Sequence, residues 1–560
     1  FTGVVEAPDI KEYHYVSLDS TNNVIKEETI KRTYSDANVN INEVYNRTNP
    51  NVTFKDFPRP FKAMFKMGTE KYKPLPKNKI YNIYASCDPA QYSNIIDTPF
   101  DDEHTENKNR ANCTVNIISP DSKFQSDSAL HVIGFGSRKY KKLSFTFKLN
   151  KKFLGRKAIK LRAMANDVTL IREQLSSELF KAVGVPIIEG TYARVFINDE
   201  VFGLYSMTDS INDRWIGAYI HGNEKAKIGF SYKLVSSPPD GPFADLRNRG
   251  ESFEKYKEHD YIVDEYEKKD IKPGDEQAEW NRLVQFVKLF EDWVLKYGND
   301  QSDKAIEELS KFLNVESLIR LLVVESLVMA LDNFWLSSSN VALYYNPERN
   351  KYQFIPYDFD ESFYGPSPDS ERIGPIEDCY HWADLRKEHY FIDNIINHPQ
   401  VKKRFDVVMA IASKEIYNKN VFHPYIQSLL SLIKEDVEWN LNAINNIHTN
   451  YNGRIDKFTM EDFQKNTALN RPVSEEDDEP HDYKLTEFID KRGDSCRAQT
   501  ANVDTSVNKN ISDDYDISET VNDPNGNGNG NSSSSAASPS KTFSSSFLCI
   551  FVPLLFLLLH

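Results

Sequence analysis

Leu331-Asp-Asn-Phe-Trp-Leu-Ser-Ser-Ser-Asn-Val-Ala-Leu-Tyr-Tyr345 is followed, after a turn at Asn346-Pro-Glu-Arg-Asn350, by Phe354-Ile-Pro-Tyr-Asp-Phe-Asp-Glu-Ser-Phe363. An apolar helix-like run ends at Asp332 and a loop leads to Asn340. Two β-type runs then flank the turn, the second entering Asp358-Phe-Asp360. Such a hairpin carries one Asp, one Asn and two further carboxylates toward one place. Phosphoryl transfer needs this inventory: a carboxylate to take a hydroxyl proton, and an amide oxygen with a carboxylate to hold Mg²⁺ on the phosphates. The competing reading is a polar hairpin whose Asp and Asn residues only cap turns.

Upstream segments supply the other half of such a site. Gly134-Phe-Gly-Ser-Arg138 is a short Gly-rich turn whose amides could approach phosphates. Lys157-Ala-Ile-Lys160 is strand-like, and Glu178 lies on a helix predicted to begin near Thr169. A strand lysine paired with a helix glutamate is how kinases hold a nucleotide. Lys141, Lys142, Arg162 and Arg172 compete with Lys160 for that role.

Further outward, strand patterns come first and helix patterns later. Leu143–Leu149, Ala158–Arg162 and Ala193–Ile197 read as strands; Asn281–Tyr297, Val315–Leu331 and Val401–Ile416 read as helices. This order indicates an α+β domain with a small sheet-rich lobe and a larger helical lobe. The expected divisions are a β-rich N-terminal domain over 1–120 and the α+β domain over 129–470. An acidic, then Asn/Gly-rich flexible stalk over 471–531 and a C-terminal signal over 532–560 complete the chain.

The motifs together resemble the CotH-type kinases, an atypical branch of the kinase-like fold, over about residues 129–440. The resemblance is carried by Gly134–Lys142 with its following strand, by Leu161-Arg162 and Asn166–Arg172, and by Gly184-Val-Pro186. Phe196–Tyr205, Asp332…Asn340 and Tyr357-Asp-Phe-Asp360 complete it. It implies a two-lobe fold with ATP and Mg²⁺ as cofactors. By position, Asp332 resembles the catalytic acid, and Asn340 and Asp358 the metal ligands, with Asp360 beside them. Gly134, Gly136, Lys142, Lys160, Arg172 and Glu178, read from the residues themselves, are the candidate nucleotide contacts. Relatives often have Glu where this chain has Asp209, a departure that leaves the role of that position open.

The ends point to a surface protein. The chain starts at Phe1, which predicts a removed leader, and Phe547–Leu559 is thirteen residues without a charge. That run is short for a spanning helix of about 20 residues. With the small residues before it, it reads as a glycosylphosphatidylinositol signal, attachment being expected at Ser533, Ser534, Ser535 or Ala536. Sequons at Asn46, Asn51, Asn112, Asn510 and Asn531 agree with an outer-surface location, in the outer leaflet or the cell wall. Loss of the tail would remove Cys549 and leave four cysteines, which permits Cys87–Cys113 as a bridge without fixing the connectivity.

Sixty-eight Lys and Arg against 83 acids give a net charge of −15, which excludes nucleic acid as the main partner. There is no Cys-x-x-Cys, His-Glu-x-x-His or Gly-x-Ser-x-Gly, which counts against zinc sites and serine hydrolases. The carboxylates alone would also suit a glycosidase, but the Lys, Glu and Asn complement suits phosphate better. A CotH-like ectodomain on a lipid tether resembles the surface invasins of mucoralean fungi. That resemblance implies a host-cell surface receptor or a protein substrate as partner, and a silent kinase fold serving as adhesin or cell-wall protein as the alternative. Arg492-Gly-Asp494 matches an integrin-binding tripeptide and falls in the expected stalk.

Overall fold

The computed structural model describes residues 11–33, 43–48, 52–102, 105–236, 241–268, 270–364, 373–469 and 484–512. Within them the chain is α+β, as expected, but its main sheet is a closed seven-stranded barrel. Around the barrel the order is Gly190–Ile197, Glu200–Thr208, Arg156–Arg162, Ser144–Phe153, Ser122–Ile133, Ala111–Ser119 and Ile80–Cys87. Neighbours are antiparallel except at closure, where Gly190–Ile197 runs parallel to Ile80–Cys87, with Tyr192 opposite Ile80. Closure removes the free edges that an open sheet would expose.

Alternation of period two builds the barrel wall. In Ala111–Ser119 the side chains of Ala111, Cys113, Val115 and Ile117 face inward and are buried. They meet Ile83, Phe145, Phe147, Ile159 and Val195 from the other strands. Cys87 and Cys113 sit opposite each other in register and form a disulfide, so the permitted bridge is present.

The division drawn at residue 120 is corrected by this topology. Ile80–Cys87 and Ala111–Ser119 belong to the same barrel as the later strands, and residue 120 lies in the turn of a hairpin. The sequence places these strands early, but only the long-range parallel pairing shows which sheet they enter. The expected kinase-type sheet lobe is replaced by the barrel.

A second, four-stranded sheet has the order Tyr261–Glu265, Phe230–Leu234, Val341–Asn346, Lys351–Pro356. Its last two strands are the predicted hairpin, in register from Val341 opposite Pro356 to Asn346 opposite Lys351. Helices enclose it. Glu276–Tyr297 is capped by Asp275, whose side chain accepts from Ala278 N. Val315–Val328 is buried along its whole length and stops where Met329 turns left-handed at φ 46°, three residues before Asp332. Pro399–Ile411 continues as a wider turn over Ala412–Ile416.

The stalk expected from residue 471 is also corrected. Leu485–Gln499 is a helix whose Leu485, Phe488, Ile489, Arg492 and Cys496 are buried, and Cys496 is disulfide-bonded to Cys379. The Arg492-Gly-Asp494 tripeptide lies inside this helix. Arg492 is 0% exposed and donates to the carbonyls of Ser326, Ile376 and Asp378, so it presents no recognition loop. Residues 471–483, the attachment sites Ser533 to Ala536, Asn51, Asn531 and the apolar tail lie outside the described residues. Among the described residues no helix is long and apolar enough to cross a membrane.

The Cys379–Cys496 bridge closes a long loop, with 117 residues of separation. Replacing both cysteines by Ser is expected to lower the unfolding free energy by about 2–5 kcal/mol. Urea unfolding measures this; an unchanged midpoint would mean that packing alone holds the C-terminal helix.

Candidate functional site

At the open end of the hairpin, Asn340 precedes the first strand and Tyr357 follows the second, and Tyr357 N donates to Asn340 O at 3.0 Å. That single backbone bond brings the two halves of the motif together. Asn340 Nδ2 donates to Asp332 Oδ2 at 2.9 Å and to Asp332 O at 2.8 Å. Asn333 Nδ2 donates to the carbonyls of Tyr357 and Asp358 at 3.0 and 3.2 Å. Asp332, Asn340 and Asp358 are thereby fixed on one edge.

The backbone here is strained. Met329, Ser338, Asn340, Asp358 and Phe363 all have φ between 46° and 66°. Each non-glycine residue held there costs on the order of 1–3 kcal/mol, a pattern that clusters at active sites.

Arg162, on the barrel strand Arg156–Arg162, faces this edge. It forms a two-pronged ion pair with Asp358, reaches Asp360 at 3.1 Å and takes Glu173 at 3.1 Å through Nε. Although burial opposes it, Arg162 holds Asp358 below the usual carboxylate range. Burial, together with the Asp358 carboxylate beside it, pushes Asp360 well up. Lys160 lies two residues earlier on the same strand face. Burial first, then the charges of Lys233 and Arg162, push its amine down to about 8, against the opposing pull of Asp358 and Asp264.

The predicted Lys160–Glu178 pair is not formed. Glu178 is buried against Lys181 at 3.0 Å, Lys77 at 3.6 Å and the Tyr425 hydroxyl at 3.3 Å. The helix carboxylate that meets the strand is Glu173, and its partner is Arg162 rather than Lys160. Five residues turn a helix by about 140° beyond a full turn, so Glu173 and Glu178 cannot share a face. The helix starts at Arg172, not Thr169, because Asp167 caps Thr169 and accepts from Arg172 N.

Two other candidate nucleotide contacts are structural. Lys142 is 1% exposed and donates to Ala163 O, Leu204 O and Asn440 Oδ1 at 2.6–2.9 Å, out of reach of a ligand. Arg172 is equally buried, pairs with Asp167 and donates to the carbonyls of Ser362 and Phe363. It therefore holds the loop that carries Asp358 and Asp360. Gly134 adopts φ 76° and Gly136 starts a single tight turn, which Arg138 fastens to the carbonyls of Pro99, Asn107 and Val132. Asp209, the departure from the family pattern, is fully buried against Arg156 at 2.5 and 3.0 Å and the Tyr72 hydroxyl.

A cavity of about 680 Å³ adjoins the carboxylate edge at Leu331 and Glu361, and Tyr140, Tyr364, Arg454 and Phe458 also line it. Its size suits a substrate segment. Among the described residues no group of three His, Cys, Asp or Glu forms a metal cluster. Mg²⁺ needs only one or two protein carboxylates, however, and Asp358 and Asp360 meet around one guanidinium, that of Arg162. An all-oxygen set with two adjoining carboxylates fits a hard divalent cation. Of the sequons, Asn112 is exposed on a barrel strand, Asn46 Oδ1 accepts from Thr29 N, and Asn510 Oδ1 accepts from Arg320.

A family model described as CotH kinase protein matches residues 130–496. The chain is 25% identical to Spore coat protein homolog 1 of Rhizopus delemar over 285 residues, 50% of this chain and 42% of that protein. It is 26% identical to Invasin CotH2 of the same fungus over 294 residues, 52% of this chain and 46% of the relative. It is 23% identical to Invasin CotH3 over 489 residues, 84% of this chain and 75% of the relative. The matched segment thus spans under half the length of the first two relatives.

Proposed function

Because this chain belongs to the CotH kinase protein family, we propose that it is a cell-surface protein whose hairpin edge transfers phosphate from ATP to Ser or Thr of a protein. The observation that carries this reading is the convergence of Asp332 with Asn340, and of Asp358 and Asp360 with the Arg162–Glu173 pair, at one end of one hairpin. Asp332 would take the acceptor hydroxyl proton. Asn340, Asp358 and Asp360 would hold Mg²⁺, which when bound neutralises phosphate charge. Arg162, oriented by Glu173, and Lys160 would face the phosphates, and the acceptor would enter through the cavity beside Glu361. The test is Mg²⁺-dependent transfer of labelled γ-phosphate by the purified ectodomain; no transfer to itself or to surface proteins would remove the reading.

A second role, adhesion, draws on relatives named as invasins. In this proposal a lipid anchor attached near Ser533 to Ala536 displays the domain to a host-cell receptor. A phosphatidylinositol-specific phospholipase should release it from intact cells, and recovery of Phe547–Leu559 peptides from the surface protein would overturn the anchor. Binding surfaces use exposed anchors rather than a charged cleft, so Asp332→Ala should keep host-cell binding while losing transfer. Loss of binding in a folded Asp332→Ala protein would tie adhesion to the cleft.

A further inference from the structure

Glu325 lies near the end of the buried helix Val315–Val328 and is 0% exposed. Its carboxylate accepts from Phe334 N at 3.2 Å and Trp335 N at 2.7 Å. These are the first amides of the one-turn helix Phe334–Ser337, which starts two residues after Asp332. The N-cap position of that helix is Asn333, whose side chain makes no capping bond because it is turned to the carbonyls of Tyr357 and Asp358. Glu325 thus does the capping from another helix and leaves Asn333 to join the two halves of the site.

The placement is costly, which argues against a purely stabilising role. No ion pair to Glu325 is found among the described residues, and burial pushes its carboxyl up to about 8. A buried carboxyl without a cation carries a desolvation cost that its two accepted hydrogen bonds offset only in part. Other contacts already fix the rest of the segment: Ser337 Oγ donates to Leu331 O at 2.9 Å, and the Phe334 ring stacks on Phe354 at 4.7 Å. What Glu325 adds is the orientation of the first turn after Asp332.

We propose that Glu325 is a positioning residue that sets the Asp332–Asn333 segment against the Asp358 edge, by capping Phe334 and Trp335 in place of Asn333. Its kinetic consequence rests on the phosphoryl-transfer reading; its structural consequence does not. A displacement near 1 Å at a reacting group costs about 10²-fold in rate. Glu325→Leu removes both acceptors, whereas Glu325→Gln keeps one oxygen and puts an NH2 donor in place of the other.

The test compares full-length parent, Glu325→Gln and Glu325→Leu. Glu325→Leu should lower kcat by about 10²-fold with KM for ATP nearly unchanged, and Glu325→Gln, which keeps one acceptor, should recover part of the rate. A kcat loss at unchanged KM, graded from Gln to Leu, is a combination that a merely structural residue would not give. Amide hydrogen exchange should be at least about tenfold faster over 331–337 in Glu325→Leu and unchanged over 315–322. Parent-like kcat and exchange in Glu325→Leu would overturn the proposal, as would equal damage by Gln and Leu. If the parent transfers no phosphate, the transfer reading fails, and the exchange comparison still decides the positioning role. If Glu325→Leu does not fold, faster exchange over 331–337 with 315–322 unchanged in Glu325→Gln supports the role, and parent-like exchange there overturns it.

Discussion

Asp332→Ala is expected to slow phosphate transfer by about 10²–10⁴-fold, the usual contribution of a general base, and to leave ATP affinity largely intact. Asp332 sits in a fixed frame: Asn340 Nδ2 holds both its carboxylate and its carbonyl, and the Leu331 amide donates to Glu361 O. The backbone that presents it is therefore retained when the side chain is cut back. Asp358→Asn should behave differently. It removes the anion at the centre of the Arg162 pair, so it should weaken Mg²⁺-nucleotide binding and release Arg162 toward Asp360 and Glu173. Single-turnover transfer and equilibrium nucleotide binding, measured on both variants, separate the two effects. Parent rates in both would show that these residues do not carry the chemistry.

Arg492→Ala is expected to destabilise the fold by on the order of 3–5 kcal/mol. The guanidinium donates to Ser326 O, Ile376 O and Asp378 O and to the Ser326 hydroxyl, with no carboxylate among these partners. Burial pushes its pKa down to about 10, and its removal leaves a cavity and several buried carbonyls without donors. Chemical denaturation measures the loss. The same burial gives a second readout: an Arg-Gly-Asp peptide should not compete with the ectodomain for host cells. Competition, or parent-like stability of Arg492→Ala, would show that this helix leaves the body of the protein.

The hairpin that gathers Asp332, Asn340 and Asp358 could be read from residues alone. The spacing of Asp332, Asn340 and Asp358 around a turn predicts the hairpin, because strand alternation and turn chemistry are local. The Arg162–Glu173 pair was not legible. Lys160 and Arg162 share a strand face, and Glu173 and Glu178 both lie on one helix, so neighbouring residues cannot say which cation meets which carboxylate. Glu325 was hidden for a related reason. An acid in a mostly apolar helix reads as an exposed position, and only the return of the chain at Phe334 gives Glu325 its partners.

By itself the sequence determined the α+β class, the family resemblance and the hairpin that gathers the acids. The C-terminal helix carried a signal as well, since Leu485, Phe488, Ile489, Arg492 and Cys496 recur at helical spacing inside a polar stretch. The tertiary structure decided three things. It closed the barrel by pairing Ile80–Cys87 with Gly190–Ile197, about a hundred residues later, and so merged two expected domains. It buried Lys142, Arg172 and Arg492, which composition would leave in solvent. It also chose Arg162 as the cation facing Asp358. The physical reason is common to all three. Periodicity comes from neighbours along the chain, whereas the face that is buried and the charge that is paired depend on which distant segment arrives to cover them.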